Sequence, residues 1–212
     1  FNSTAQFYYS KTHYKIEEVN SYTGFTQNSV PNIYQDSEDY LWVSTPNGLF
    51  QYDGYSFKEI NKLTPSKSLA TNQIIKVDED KSGNIWILNS NALNVYSKQQ
   101  NKITTIDLSQ IGTLEFEDFL VDRFADRTIW ISSTTHILRI HLNADFEVNS
   151  ITSSDTLKKP KKLFQNSKGE ILSYLTKKIL FTKLSEDGKK LDFKTLRWKD
   201  KIVRIKSHPD GN

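Results

Sequence analysis

Residues 25–57 decide the fold and read FTQNSVPNIYQDSEDYLWVSTPNGLFQYDGYSF. In this stretch, four short runs of alternating apolar and polar residues are separated by Asn, Asp, Gly and Pro. That pattern predicts consecutive antiparallel strands of a small meander. One such sheet cannot bury its own apolar face, so it needs neighbours of the same kind.

A repeat centred on tryptophan supplies those neighbours. Trp42, Trp86 and Trp130 are spaced by 44 and 44 residues, and each has apolar residues on both sides. Three further columns keep the same spacing: Ile33, Val77 and Val121 nine positions before the Trp; Leu49, Leu93 and Ile137 seven after it; and Tyr52, Tyr96 and Ile140 ten after it. Four columns in register across three units indicate an internal structural repeat.

A fourth unit follows when Leu172 takes the tryptophan position at a spacing of 42. Leu163 then stands nine positions before it and Ile179 seven after it. A fifth unit begins around Ile205. A period in the low forties, with four strands in each unit, is typical of propeller blades rather than of helical repeats.

The sequence therefore predicts an all-β fold, a β-propeller of four-stranded blades with a period of about 42–44 residues. The ring is expected to be incomplete, with about four blades and the start of a fifth. The predicted boundaries are 25–64, 65–109, 110–151 and 152–198 for the four blades, and 199–212 for the start of the fifth. Residues 1–24 are predicted to contain a ring-closing outer strand, and the fourth strands are placed at 55–60, 102–106, 146–151 and 192–198.

Composition fits a globular chain, with 36% hydrophobic and 25% charged residues among 212. Cysteine is absent, which excludes disulfides, thiol nucleophiles and cysteine metal sites. No apolar run reaches the roughly 18–20 residues of a membrane helix. Because the chain begins at Phe1 and not at Met, we expect that a leader precedes it in an exported protein.

Charge is unevenly distributed along the chain. Residues 151–212 hold 16 basic and 7 acidic residues, which leaves 12 basic and 18 acidic for residues 1–150. The lysines are spread through turn-like stretches, which is typical of solvated loops rather than of a nucleic-acid site. We therefore predict that this segment binds no nucleic acid.

Motifs for catalysis and metal binding are weak. The stretch 78–83 resembles the start of a calcium loop, but its twelfth position is Asn89 where a bidentate Glu is needed. His136 and His141 are five residues apart, a poor spacing for a shared metal. Glu115 and Glu117 alternate as acids commonly do on a solvated strand. We predict no catalytic residue, cofactor or metal site.

Aromatic residues fall into a repeating and a non-repeating group. Trp42, Trp86, Trp130 and their counterpart Leu172 recur at one position, so they are predicted to pack blades together. Residues that do not recur are freer to face solvent, where they can contact a ligand. The predicted ligand-binding residues are Tyr34, Tyr40, Asn47 and Tyr55, with Pro46 beside Asn47.

The first repeat has the pattern Asn28-Ser29-Val30, Ile33, Asp36, Leu41-Trp42-Val43, Thr45, Gly48-Leu49 and Tyr52-Asp53. This pattern closely resembles the repeat of the two-component regulator propellers, the periplasmic sensor domains of Bacteroidetes hybrid two-component systems. It weakens along the chain, and Asp39 and Ser44 stand where the family commonly has Gly.

The resemblance implies a periplasmic, non-catalytic fragment of a sensor that detects an oligosaccharide and signals across the membrane to control transcription. The intact parent would be a membrane-anchored histidine kinase and response regulator, and a homodimer is possible. Two other classes stay open. One is a propeller enzyme acting on glycans, a lyase or hydrolase. The other is a propeller that binds proteins and no small ligand.

Overall fold

A computed structural model of the chain describes residues 25, 27, 29–61, 63, 68–90, 92–157, 160, 162–175 and 178–197. These residues form four antiparallel sheets of four strands each, together with one short 3-10 helix at Ser109–Ile111. The predicted all-β class and four-stranded blades are confirmed. The ring-closing strand predicted in 1–24 and the fifth blade predicted from 199 lie outside the described residues.

Each sheet is one blade, formed by four strands that are consecutive in the chain. The strands are β1 Asn32–Gln35, β2 Leu41–Thr45, β3 Gly48–Tyr52 and β4 Phe57–Ile60 in blade 1; β5 Ile74–Glu79, β6 Ile85–Asn89, β7 Leu93–Ser97 and β8 Lys102–Ile106 in blade 2; β9 Phe116–Val121, β10 Thr128–Ser133, β11 Ile137–Leu142 and β12 Val148–Ser153 in blade 3; and β13 Leu163–Gln165, β14 Ile171–Leu175, β15 Lys178–Leu184 and β16 Leu191–Arg197 in blade 4. Each blade pairs its strands in chain order. Successive blades pack face to face in an open ring.

Side chains of the second strand alternate between the two neighbouring blades, as the period of a strand requires. Each tryptophan shares a core cluster with a first-strand residue of the following blade: Trp42 with Val77, Trp86 with Phe119, and Trp130 with Leu163. The apolar residues on either side of a tryptophan face the preceding blade; Ile85 and Ile87, for example, belong to the cluster of Trp42. The Ile-Trp-Ile pattern therefore serves two interfaces at once.

A hydrogen bond fixes each tryptophan to the hairpin turn of its own blade. The indole Nε1 donates to an aspartate Oδ2: Trp42 to Asp36 at 2.8 Å, Trp86 to Asp80 at 2.9 Å, and Trp130 to Asp122 at 2.8 Å. Meanwhile the other carboxylate oxygen of each aspartate accepts two backbone N–H groups of the turn. One carboxylate therefore organises the turn and satisfies a buried indole.

Blade 4 lacks both partners of this hydrogen bond. Asn166 stands at the aspartate position, and its Oδ1 still accepts the backbone N–H groups of Lys168 and Glu170 at 3.0 and 2.9 Å. Leu172 replaces the tryptophan and offers no donor, so a second acceptor oxygen is not needed. Asn166 instead donates its amide to the Glu170 carboxylate at 2.8 Å.

One predicted column is wrong in blade 3. The residue that directly follows the tryptophan position pairs with a residue of the first strand. Its partner is Ile33 in blade 1, Val77 in blade 2 and Leu163 in blade 4, but Phe119 in blade 3. Val121, which the constant spacing predicts there, pairs with Ile129 at the end of the strand. The cause is the turn 122–128, which is two residues longer than the turns 36–40, 80–84 and 166–170.

The first member of that column is exposed, unlike its counterparts in blades 2 and 4. Ile33 is 61% exposed, whereas Val77 and Leu163 are 2% and 3% exposed. Among the described residues, no sheet covers the face of blade 1 on which Ile33 lies. Phe25 covers part of it by packing against Phe50 and Phe57.

The departure at Asp39 leaves the turn conformation unchanged. Asp39 has φ +69°, close to the +78° and +79° of Gly83 and Gly169 at the same turn position. The left-handed conformation explains why glycine suits this position, and aspartate is among the few other residues that adopt it. Ser44, the second departure, is fully buried, and its hydroxyl finds no hydrogen-bond partner in the described part of the chain.

Replacing Asp80 by Asn tests the hydrogen bond between turn and tryptophan. In Asp80→Asn, the remaining side-chain oxygen can still accept the backbone N–H groups of the hairpin turn. The amide N–H, however, is a donor and cannot accept the hydrogen bond of the buried Trp86 indole. We expect the free energy of unfolding to fall by about 1–3 kcal/mol, as measured by chemical denaturation, because a buried donor loses its acceptor. The control is Asp145→Asn, at an exposed turn residue of blade 3. An equal loss in both variants would contradict this role.

Candidate functional site

Antiparallel meanders place their loops at two ends of each blade. The turns between first and second strands and between third and fourth strands lie at one end, called here the turn end. The turns between second and third strands and the segments that join successive blades lie at the other, the connector end. A ligand site must be built mainly from one of these sets of loops.

The structure does not bring the four predicted ligand residues together. Tyr40 is half-buried and Tyr55 is 93% exposed, and both lie at the turn end of blade 1. Asn47 is exposed at the connector end, where its amide donates to the Gln27 side chain at 3.2 Å. Tyr34 lies within β1 and packs against the core between blades 1 and 2.

Tyr34 has a strongly perturbed hydroxyl. Burial and the nearby carboxylates of Asp78 and Glu79 raise its pKa to about 12, because both disfavour the phenolate. Because the folded protein favours the neutral phenol, the contribution of Tyr34 to the free energy of unfolding is fully present below its ordinary pKa of about 10. That contribution is lost as the pH rises through 12. This behaviour is that of a packing residue between blades.

Tyr34→Phe tests that linkage. Between about pH 10 and pH 12, the unfolded native chain ionises the Tyr34 phenol while the folded chain keeps it neutral, which lowers the free energy of unfolding. The variant has no phenol at this position, so we expect the free energy of unfolding of the native chain to fall relative to that of the variant over this range. Denaturant unfolding at a series of pH values measures the difference. Tyr55→Phe, at the 93% exposed side chain, is the matched control. A constant difference for Tyr34→Phe across this range would refute the assignment.

A charged cluster joins blades 1 and 2 at the turn end. The Lys98 ammonium lies 3.0 Å from an Asp36 oxygen, 3.1 Å from Glu79 and 3.4 Å from Glu38. Ser37 donates its backbone N–H and its hydroxyl to the Glu79 carboxylate, both at 2.8 Å. The cluster therefore connects the turn that holds Trp42 to the first strand of the next blade.

The cluster shifts the pKa values of its members. Burial raises the pKa of Asp36, but hydrogen bonds from Trp42 and Lys98 outweigh it, so that this pKa lies below its usual value. Burial lowers the pKa of Lys98, and hydrogen bonds to Asp36 and Glu79 more than offset it, so that this pKa is raised. Both directions favour the ionised pair at neutral pH.

Lys98→Met should make the protein more sensitive to acid. A depressed carboxyl pKa contributes stability above about pH 4 that is lost as pH falls, and the variant removes the cation that depresses the pKa of Asp36. We expect the acid-unfolding midpoint, followed by tryptophan fluorescence, to move to higher pH. Lys81→Met is the control, at an exposed lysine in the neighbouring turn. An unchanged midpoint in Lys98→Met would exclude the cluster as a determinant of acid stability.

Two cavities flank the segment 107–115 at the connector end, where blade 2 joins blade 3. The first, called here the connector cavity, has a volume of about 300 Å³. Its polar lining is Gln110, His136 and Ser153, and its apolar lining is Ile111, Leu114, Leu138 and Ile151. The second cavity has about 440 Å³, lies on the blade 2 side and shares Leu114 with the first.

Three separate parts of the chain build the connector cavity. Gln110 comes from the 3-10 helix, His136 from the turn between β10 and β11, and Ser153 from the end of β12. His136 is held by its Nδ1, which lies 2.7 Å from the Thr135 hydroxyl, so its Nε2 is left for other contacts. This combination of an apolar wall with a few convergent polar groups is typical of a small-molecule site.

Sequence reasoning missed this site. The residues are spread over more than forty positions, and no motif connects them. The segment 107–115 gives no signal either, because the spacing of 44 residues between Trp86 and Trp130 is the same as that between Trp42 and Trp86.

Other candidates have structural partners. The Asp80 carboxylate of the calcium-like stretch is occupied by its turn and by Trp86. His141 lies within β11 beside the Thr128 hydroxyl at 3.1 Å. Across the described ranges, no group of three or more His, Cys, Asp or Glu residues could hold a metal ion. Those same ranges contain no helix with the length and apolar character to cross a membrane.

Comparison with known families gives one match. Residues 24–47 match the family described as two component regulator propeller, which confirms the resemblance of the first repeat. Curated protein sequences give no significant match.

Solved structures with the same fold include two extracellular domains from hybrid two component systems of B. thetaiotaomicron. One is 17% identical with a TM-score of 0.59, covering 76% of this chain and 21% of that one. The other is 15% identical with a TM-score of 0.58, covering 92% and 33%. Virginiamycin B lyase from Staphylococcus aureus is 15% identical with a TM-score of 0.61, covering 82% and 57%. The chain thus spans a third or less of the two sensor domains and just over half of the lyase.

Proposed function

We propose that this chain, whose residues 24–47 form a two component regulator propeller repeat, is part of the extracytoplasmic sensor of a hybrid two-component system. The observation that carries the proposal is the match of this repeat. The propeller fold shared with two extracellular domains of such systems supports it. The segment itself acts by binding and not by catalysis.

The proposed ligand is an oligosaccharide in the periplasm. Its support is the pair of cavities at the connector end, whose volumes lie within the range that small-molecule ligands occupy. The four residues predicted to bind ligand, Tyr34 within β1, Tyr40 and Tyr55 at the turn end and Asn47 at the connector end, stay predictions, and none of them lines either cavity.

Signalling requires a ligand that binds two arrangements of the receptor unequally, since equal affinity shifts no equilibrium. In the proposed mechanism, ligand binding to the propeller biases the arrangement of a membrane-anchored parent, which is a homodimer. The change controls a histidine kinase and thereby transcription.

Calorimetric titration of the complete extracytoplasmic region with a panel of neutral and acidic oligosaccharides tests the proposal. We expect a saturable heat for at least one sugar, without chemical change of that sugar. The same sugar should alter phosphorylation in the membrane-embedded parent. No heat with any sugar of a broad panel would contradict the ligand and favour a protein-binding propeller.

A lyase is the second candidate, because virginiamycin B lyase shares the propeller fold. It makes a different prediction for the same samples. Mass spectrometry of the sugars after incubation would then reveal a cleaved product, whereas a sensor returns its ligand intact.

A further inference from the structure

We propose that the connector cavity is the ligand site and that it takes the terminal unit of a neutral, hydroxyl-rich oligosaccharide. The inference rests on the proposed function, and it adds a location and a charge class to the ligand. Its basis is the set of polar atoms that the fold leaves unused at the junction of blades 2 and 3.

Unused polar groups distinguish the connector cavity from its neighbour. Among the described residues, neither the Gln110 amide nor Nε2 of His136 has a hydrogen-bond partner. In the second cavity, by contrast, the Thr105 hydroxyl already donates to Asn94 at 2.8 Å and Asp107 also has a partner, so that Thr113 is its one polar side chain without a partner among the described residues. The connector cavity therefore has more hydrogen-bonding capacity to offer a ligand.

The polar groups suit hydroxyl ligands. A primary amide carries both donors and an acceptor, a neutral imidazole carries one of each, and a serine hydroxyl can do both. Ser153 donates to the Ser154 carbonyl at 3.0 Å, so its oxygen remains free to accept. A sugar hydroxyl both donates and accepts, which allows it to use groups of either kind.

The described lining residues indicate the charge class. Gln110, His136 and Ser153 are the polar members among them, and none of the described lining residues is Asp, Glu, Lys or Arg. A uronate or sulfate would leave water with no Lys or Arg among the described lining residues to pair with, at a cost in free energy. The aliphatic wall of Ile111, Leu114, Leu138 and Ile151 instead suits the apolar face of an uncharged ring.

The location also connects the ligand to two blades. Phe116 N donates to the Ser90 carbonyl of blade 2 at 3.1 Å, and Thr134 N of blade 3 donates to the Glu115 carbonyl at 3.0 Å. The segment 107–115 thus leads directly into backbone contacts with both blades. A ligand held between Gln110 and His136 would tie this segment to blade 3.

Calorimetry on the complete extracytoplasmic region tests the inference with maltotriose and cellotriose as neutral probes and a chondroitin disaccharide as the acidic probe. Gln110→Ala removes an exposed amide, and Ser153→Phe fills the cavity from an exposed position. The control is Gln73→Ala, which removes another exposed glutamine amide at the connector end, in the segment that joins blades 1 and 2. Thermal unfolding verifies that each variant is folded.

We expect a neutral probe to bind the native protein, with affinity reduced about tenfold by Gln110→Ala, lost in Ser153→Phe and unchanged in Gln73→Ala. Equal binding by all three variants would overturn the location and leave the proposed function intact. If only the acidic probe binds, the neutral class is wrong. If none of these probes and no member of the broader panel binds, the proposed ligand of the sensor fails as well.

Discussion

The hydrogen bond between an aspartate in a hairpin turn and the indole of its own blade is the constraint on which the packing depends. A buried indole N–H without an acceptor costs about 1–3 kcal/mol, so the large apolar surface of a tryptophan can be buried between blades only where an acceptor reaches it. Asp36, Asp80 and Asp122 provide that acceptor. Their second oxygen fixes the turn, which couples turn conformation to the packing of the next blade.

Contacts near the first strands reinforce this arrangement across three blades. Asp118 of blade 3 is 1% exposed, and its Oδ1 lies 3.1 Å from the ammonium of Lys76 in blade 2. Its Oδ2 accepts the backbone N–H of Leu163 in blade 4 at 2.8 Å. Lys76 also donates to the Phe119 carbonyl at 2.6 Å. Stability is therefore distributed as a series of neighbour contacts, as in other repeat proteins.

Much of this architecture could be predicted from the sequence, because one bulky residue at a fixed spacing reports on every blade. The tryptophan period predicted the strands and their order. It could not predict the register of β9, since the longer turn before Trp130 shifts Phe119 into the position assigned to Val121. Nor could it predict that Ile33 would be exposed, because that depends on which sheet covers blade 1.

The candidate site was much less accessible to sequence reasoning. Non-recurring residues such as Tyr55 and Asn47 were sensible choices, yet the strand order sends them to opposite ends of the same blade. Gln110, His136 and Ser153 meet only because three segments converge at the connector end. Such convergence is a property of tertiary structure, and it leaves no periodic trace in the chain.

The longer turn of blade 3 shows how much variation in length the blade interface tolerates. Two additional residues lie between Asp122 and Trp130, yet the hydrogen bond between them remains at 2.8 Å, like its counterpart in blade 1. An insertion in this turn is therefore absorbed outside the sheet, and the blade interface is preserved. Among the blades of this chain, the hairpin turn is consequently a place where length varies while the aspartate and the indole stay in contact.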